Sequence, residues 1–363
     1  MTGFFILLLS SFQKNKKIMA SGKKIVRWAF IGLLLIASLA AWLVFGNSTH
    51  FDEDKKSCFI KTGSNFSEVQ NNLQQNGFVK NGSIFKFMSG LLNYPDNIKP
   101  GKYVFEKGSS IYTILKTLKA GRQTPVNLVI NKLRIKEDFA KKIAANFECD
   151  SLSVIHFLYN NDSLAAYHLD TNTVMSAIIP NTYSLTWNTS FPKLFKRLYS
   201  EQQKFWNEQR KNKARNLGLS TQQVHTLASI VEEETNREED KGKIASVYLN
   251  RMQAGMALGA DPTVKFALKD FGLKRIYEKH LKVQSPFNTY INKGLPPGPI
   301  CTPSSKTIDA VLDAPATSYL YFVAMPDLRG GSNFATTFQE HLQYAKAYQQ
   351  ALDTLMKKKA AGK

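Results

Sequence analysis

Three consecutive glutamates, Glu232, Glu233 and Glu234, close a run that is otherwise apolar or small, Thr226-Leu227-Ala228-Ser229-Ile230-Val231. On a helix at ~100° per residue, Leu227, Ile230, Val231 and Glu234 fall on one stripe. Glu232 and Glu233 point away from its middle. Glu234 therefore stands where a Leu is expected. A carboxyl that loses solvation keeps its proton to higher pH, and a carboxyl protonated near neutrality is what a general acid requires. Alone, the pattern also fits a structural helix whose Glu234 meets a Lys or Arg, with Glu232 as the second choice for chemistry.

Three polar loops rich in Gly and Pro follow. They are Leu258-Gly259-Ala260-Asp261-Pro262-Thr263-Val264, Ser285-Pro286-Phe287-Asn288-Thr289-Tyr290 and Gly294-Leu295-Pro296-Pro297-Gly298-Pro299-Ile300. Such residues stiffen a loop before a ligand arrives. Asn288 and Tyr290 offer hydrogen bonds and an aromatic surface suited to a sugar ring, with Ser285 at the head of the same loop. Asp261 reads either as a helix cap ahead of Thr263 or as a second acid. A hydrolytic glycosidase needs two carboxyls ~5–9.5 Å apart, and Asp261 is the partner Glu234 would have.

These residues need elements to hold them. Ser220 and Gln223 form a capping-box signature that starts the glutamate helix. Residues 243–252 place Ile244, Val247, Tyr248 and Arg251 at helical spacing, with Arg251 read as a brace. Upstream, residues 126–130 read as a strand, and 136–147 and 151–159 as helices. Residues 174–183 end in a turn, Pro180-Asn181-Thr182-Tyr183. Residues 191–211 read as one long basic helix with Leu194, Leu198 and Phe205 inward. The Lys-rich tail from Lys357 reads as frayed. Nearer the N-terminus, 58–67 is strand and turn, 68–77 and 83–92 are helices, 98–105 is turn and strand, and 110–118 is a helix stopped by Gly121. Its two strand, Gly-Ser, helix units resemble a weak internal repeat.

The chain of 363 residues carries a net charge of +20, which suits nucleic acid, a membrane surface or an anionic polymer. No zinc-finger or RNA-binding signature supports nucleic acid, and there is no P-loop or dinucleotide fingerprint. Cys58, Cys149 and Cys301 are far apart and odd in number, so they give no metal pattern and no disulfide framework. They read as unpaired core thiols, with a single Cys58–Cys149 or Cys149–Cys301 bridge as the alternative. No metal or organic cofactor is implied.

Lys14, Lys16, Lys17, Lys23, Lys24 and Arg27 precede an uncharged run over 28–45, flanked by Trp28 and Trp42. With its shoulders it reaches the ~20 residues that cross a bilayer, and the basic side should remain cytoplasmic. A cleaved signal peptide is the competing view. The run is long for one, and Gly46-Asn47-Ser48 is a poor cleavage site. The apolar residues 1–13 are too short to span. Met19 is a more conventional start, which makes the first eighteen residues read as an upstream mis-start.

Taken together, Ala228-Ser229-Ile230-Val231-Glu232-Glu233-Glu234-Thr235, Ala245-Ser246-Val247-Tyr248-Leu249-Asn250-Arg251, the three loops, Tyr319-Leu320-Tyr321-Phe322-Val323-Ala324 and Glu340-His341 resemble, in that order, the YceG-like family of endolytic murein transglycosylases of the MltG type. The likeness is dense over 220–345 and looser over 57–210. It implies an α+β chain: a basic cytoplasmic segment 1–24, a transmembrane anchor 25–46, a linker 47–56, a LysM-like module 57–125 and a catalytic domain 126–363. It implies a lytic enzyme of the inner membrane with its catalytic region periplasmic. That enzyme would cut the MurNAc–GlcNAc bond of peptidoglycan glycan strands to leave 1,6-anhydro-MurNAc ends. Glu234 would be the catalytic acid, then base. Asp261, Ser285, Asn288, Tyr290 and Glu232 would attend the substrate, and peptidoglycan synthases are the protein partners to expect. The alternatives are a non-catalytic wall-binding scaffold and a hydrolytic muramidase using Glu234 and Asp261. The chain departs from the family where Met175-Ser176 replaces a Glu-Gly pair, which removes an acid from that loop.

Overall fold

A computed structural model describes residues 26–361, with side chains through residue 358. The expectations for the basic segment before residue 26 and for the start at Met1 or Met19 lie outside the described residues. The chain divides into two compact units at Pro125/Val126. The architecture is α+β.

The first unit opens with helix α1, Val26–Phe45, which is long and apolar enough to cross a membrane and is not buried by protein. Strand β1 (Lys55–Ile60) leads to helices α2 (Phe66–Gln75) and α3 (Gly82–Leu91), then strand β2 (Gly101–Glu106) and helix α4 (Ile111–Ala120). The two strands pair antiparallel with Cys58 opposite Tyr103. Alternation turns Cys58, Ile60, Tyr103 and Phe105 inward, against Val69 and Leu73 of α2, Phe85 of α3 and Ile114, Leu115 and Leu118 of α4. Asn65 and Glu68 form a capping box at α2, and Gly121 ends α4 in the left-handed conformation (φ 67°).

The expected linker 47–56 is no free tether. Ser48, Thr49 and Phe51 are buried. The Ser48 N–H donates to the Ser109 carbonyl (3.0 Å), the Lys80 N–H to the Ser48 carbonyl (3.0 Å), and the His50 N–H to the Gly77 carbonyl (2.8 Å). Phe51 stacks edge-on against Phe78. The average polarity of the stretch concealed one aromatic that the module can bury.

The second unit contains two cores. In the first, strand β3 (Val126–Ile130) pairs antiparallel with β4 (Asn181–Leu185) around helices α5 (Lys136–Asn146), α6 (Ser151–Leu158), α7 (Asn161–Ala165) and α8 (Phe191–Phe205). Pro180-Asn181-Thr182-Tyr183 is thus the entry to a strand rather than a turn. Tyr183 is buried and its hydroxyl donates to the Ile179 carbonyl (2.5 Å). Met175 and Ser176 lie in a buried 3-10 turn, Val174–Ala177. The long basic helix is two: α8 ends at Phe205, and Asn207 caps α9 (Glu208–Asn216) by accepting the Arg210 N–H (3.0 Å).

The second core surrounds helix α10 (Thr221–Glu234), followed by α11 (Glu238–Gln253), α12 (Asp261–Leu268), α13 (Glu278–Leu281) and α14 (Ser305–Leu312). A hairpin of β5 (Tyr321–Ala324) and β6 (Ser332–Ala335) packs with α15 (Phe338–Ala361), which continues helically through Lys357 where a frayed tail was expected. Helix α10 has the expected capping box, with the Gln223 N–H on Ser220 Oγ (3.1 Å) and the Ser220 N–H on Gln223 Oε1 (2.8 Å). It does not have one apolar stripe. Every residue from Val224 to Val231 is buried, because α9, α11, α12 and α14 pack all round it. Thr226, Ala228 and Ser229 are small enough to let those neighbours approach. All three cysteines are free.

Candidate active site

The glutamate run emerges from this core at the end of α10, and its three carboxyls take different surroundings. Glu233 is held by Arg134, whose Nε and Nη2 donate to its two oxygens (3.1 and 2.9 Å), and by Lys132 (3.1 Å). Glu232 turns to α11 and α14. Its Oε2 accepts from Lys241 Nζ (3.4 Å), Ser304 Oγ (3.2 Å) and the Thr307 hydroxyl. Lys241 is almost fully enclosed, and Glu238 (2.8 Å) and Thr307 (2.8 Å) complete its shell.

Glu234 has no ion-pair partner among the described residues. Its Oε1 accepts one hydrogen bond, from the hydroxyl of Tyr248 on α11 (2.5 Å). Protein atoms crowd the carboxyl, while the residue as a whole is half-buried. Its pKa is pushed up to about 7. Burial is the main cause. The charge of Asp261 adds to it, while the Tyr248 hydrogen bond and the cations Arg251 and Lys265 oppose it. Glu234 is also the last residue of α10, at the negative end of that helix, where an anion is disfavoured. Burial and the nearby Glu234 push Tyr248 well above the usual phenol range, so its hydroxyl stays a donor.

Helix α12 and the 285–290 loop bring Asp261 and Tyr290 to the same region. Asp261 is the first residue of α12 rather than its cap, and its Oδ1 accepts the Tyr290 hydroxyl (2.6 Å). A buried threonine pair fixes this register. Thr289 Oγ1 accepts from the Ala260 N–H (3.0 Å) and lies 2.9 Å from Thr263 Oγ1, which itself donates to the Ala260 carbonyl (2.6 Å). Gly259, at φ 57°, donates its N–H to the Thr289 carbonyl (3.0 Å). Arg251 braces the wall: Nε donates to the Leu320 carbonyl (2.7 Å) and Nη1 to the Leu258 carbonyl. The third loop is pinned to α10 by the Ile300 N–H on Ser229 Oγ (3.0 Å).

The other expected substrate contacts also make bonds within the protein. Asn288 is fully buried. Its amide donates to the carbonyls of Leu281 (2.8 Å) and Val283 (2.9 Å), and its oxygen accepts the Tyr290 N–H (3.0 Å). These bonds build the loop. Ser285 likewise closes its own turn, accepting the Phe287 N–H at Oγ (3.2 Å). Glu232 is spent on Lys241 and Thr307. Tyr248 was missed as a site residue: its spacing marked it only as a core position, and nothing local shows that its hydroxyl reaches Glu234. Lys265 was missed because nothing local shows that its charge acts on Glu234. Among the described residues no group of three or more His, Cys, Asp or Glu could hold a metal.

Residues 58–347 match the family described as YceG-like. The chain belongs to the YceG-like family. It is 28% identical over 314 residues to an endolytic murein transglycosylase of Bacillus subtilis, covering 80% of this chain and 83% of that protein. It is 29% identical over 318 residues to one of Streptococcus pneumoniae strain D39, covering 77% of this chain but 56% of that protein. The chain thus spans little more than half the length of the pneumococcal relatives. A crystal structure titled as a putative YceG-like protein of Listeria monocytogenes superposes with a TM-score of 0.53 at 28% identity, covering 80% of this chain and 99% of the other.

Proposed function

We propose that this YceG-like chain is an endolytic lytic transglycosylase that cuts murein glycan strands, with Glu234 as its single acid and base. The observation that carries this is the environment of Glu234: among the described residues it has no ion-pair partner, it accepts one bond from Tyr248, and its pKa is raised to about 7. The protonated carboxyl gives its proton to the leaving glycosidic oxygen. The resulting carboxylate takes the proton of the MurNAc 6-hydroxyl, which attacks C1 and closes the 1,6-anhydro ring without water. Tyr248 stabilises the carboxylate formed between the two transfers. Asp261, held by Tyr290, supplies negative charge that favours an oxocarbenium-like sugar.

In this reading α1 is a single-pass inner-membrane anchor. Arg27 and the lysines before it keep the N-terminus cytoplasmic, and the chain after α1 lies on the periplasmic side. The β1-α2-α3-β2 order of the first unit supports a LysM-like, glycan-holding role.

The test is mass spectrometry of products from uncrosslinked glycan strands, with the full chain and its Glu234→Gln variant. Anhydro ends that vanish in the variant are expected. Reducing ends would make the enzyme a hydrolase and move attention to Asp261. No cleavage by folded wild-type chain would favour a wall-binding scaffold.

A further inference from the structure

A concavity of about 160 Å³ opens in the Val126–Lys363 unit, and the chemistry above does not use it. Its walls combine cations with apolar surface: Arg134, Lys136 and Lys269 beside Met175, Phe266 and Phe287. Glu137 is the one carboxylate in its lining. The Tyr159 hydroxyl already donates to it (2.8 Å), and Lys269 lies 3.9 Å away. Lys136 is poised over the Tyr159 ring (3.5 Å) and donates to the Thr171 carbonyl (2.8 Å). Such a lining suits a short chain that carries carboxylates and small apolar side chains. A MurNAc without its peptide offers only its single lactyl carboxylate and methyl, too short to reach several of these groups at once.

Its place relative to Glu234 is set by two elements. Phe266 and Lys269 stand five and eight residues beyond Asp261 on α12 and its cap, ~7.5 and ~12 Å along the axis at 1.5 Å per residue. Phe287 belongs to the loop that carries Tyr290. Arg134 and Lys265 also line a smaller hollow with Pro262, the residue after Asp261 on α12. Gly298 makes a further wall possible. A Cβ there would lie 2.0 Å from the Asn172 carbonyl oxygen, so only glycine lets the third loop close on the Asn172 backbone that lines the cleft.

We infer that this cleft receives the peptide branch of a muramic acid next to the bond cut at Glu234, with its carboxylates on Lys136 and Lys269 and its methyl groups on Phe266, Phe287 and Met175. A branch of three or four residues extends ~10–14 Å, which covers the distance from Asp261 to Lys269. The preferred substrate is then a peptide-bearing strand rather than a denuded one. This inference rests on the proposed glycan-cleaving role for its biological sense, but its test does not require cleavage.

The test is calorimetric binding of MurNAc-tripeptide and of MurNAc alone to the full chain in detergent, using the Glu234→Gln background and adding Lys136→Gln/Lys269→Gln. Tighter binding of the peptide-bearing ligand, by about tenfold or more, that disappears in the double variant is expected. Equal affinity for the two ligands, or a preference that survives the double variant, would overturn the inference. Cleavage assays on peptide-bearing and denuded strands then separate the readings. Cleavage of both at equal rates rejects the cleft's role and leaves the activity standing. Absence of any cleavage with peptide-selective binding does the reverse.

Discussion

Glu232 and Glu234 are two residues apart on one helix, yet they meet opposite fates. Around Glu232 the protein has arranged a closed network: the ammonium of Lys241, two hydroxyls and a second carboxylate, Glu238. Around Glu234 it supplies one phenol and a neighbouring acid. The first arrangement satisfies a charge and fixes α10 against α11 and α14. The second leaves a charge under-satisfied, and that deficit keeps the carboxyl protonated to higher pH. Identical side chains therefore differ in role through which helix each one faces.

The largest test of this contrast is activity. Glu234→Gln should lower the rate of strand cleavage by about 10²–10⁴-fold, the range of general acid–base contributions, while Glu232→Gln should leave the rate of the folded enzyme near wild type. Comparable losses in both variants would erase the distinction.

Stability should respond in the opposite order. Glu232→Gln removes a counter-charge from the enclosed Lys241, which keeps Glu238 and Thr307. A loss of about 1–3 kcal/mol follows, read as a fall in thermal midpoint of several degrees.

Glu234→Gln should instead stabilise the protein at alkaline pH. The folded pKa, about 7, lies above the ordinary 4.5, so the native state holds a proton that the unfolded chain has released. Stability from this group is full below pH 4.5 and declines as pH rises to about 7, by at most ~3 kcal/mol. The variant should therefore melt higher than wild type at pH 8 and equally at pH 4.5.

The finest test is the pH profile. Cleavage should fall above about pH 7 as Glu234 loses its proton. Tyr248→Phe removes a bond that favours the carboxylate, so the alkaline limb should move up. Asp261→Asn removes a repelling charge, so it should move down. Shifts of the same sign in both variants would place the titrating group elsewhere.

Much of this was readable in the sequence where the signal is local. The capping box of Ser220 and Gln223, the strands around Cys58 and Tyr103 and the left-handed Gly121 each depend on residues close by. Glu234 stood out because its neighbours are apolar. What stayed hidden was contact across the fold. Asn288 has the same amide whether it meets sugar or the Leu281 and Val283 carbonyls, and only the closed loop shows the latter. Tyr248 is fourteen residues from Glu234, on another helix. The break at Trp206–Asn207 was overlooked because Asn207 acts as a cap inside a continuous basic pattern.

The joint between α1 and the module has a mechanical meaning. Phe45 meets the Tyr112 ring (5.2 Å between centroids), and three residues later Ser48 is bonded to the Ser109 carbonyl. That leaves no slack at the joint, so a tilt of α1 is transmitted to the strands and helices it carries. The chain has a handle here rather than a leash, and a few Gly-Ser residues inserted after Gly46 would convert one into the other.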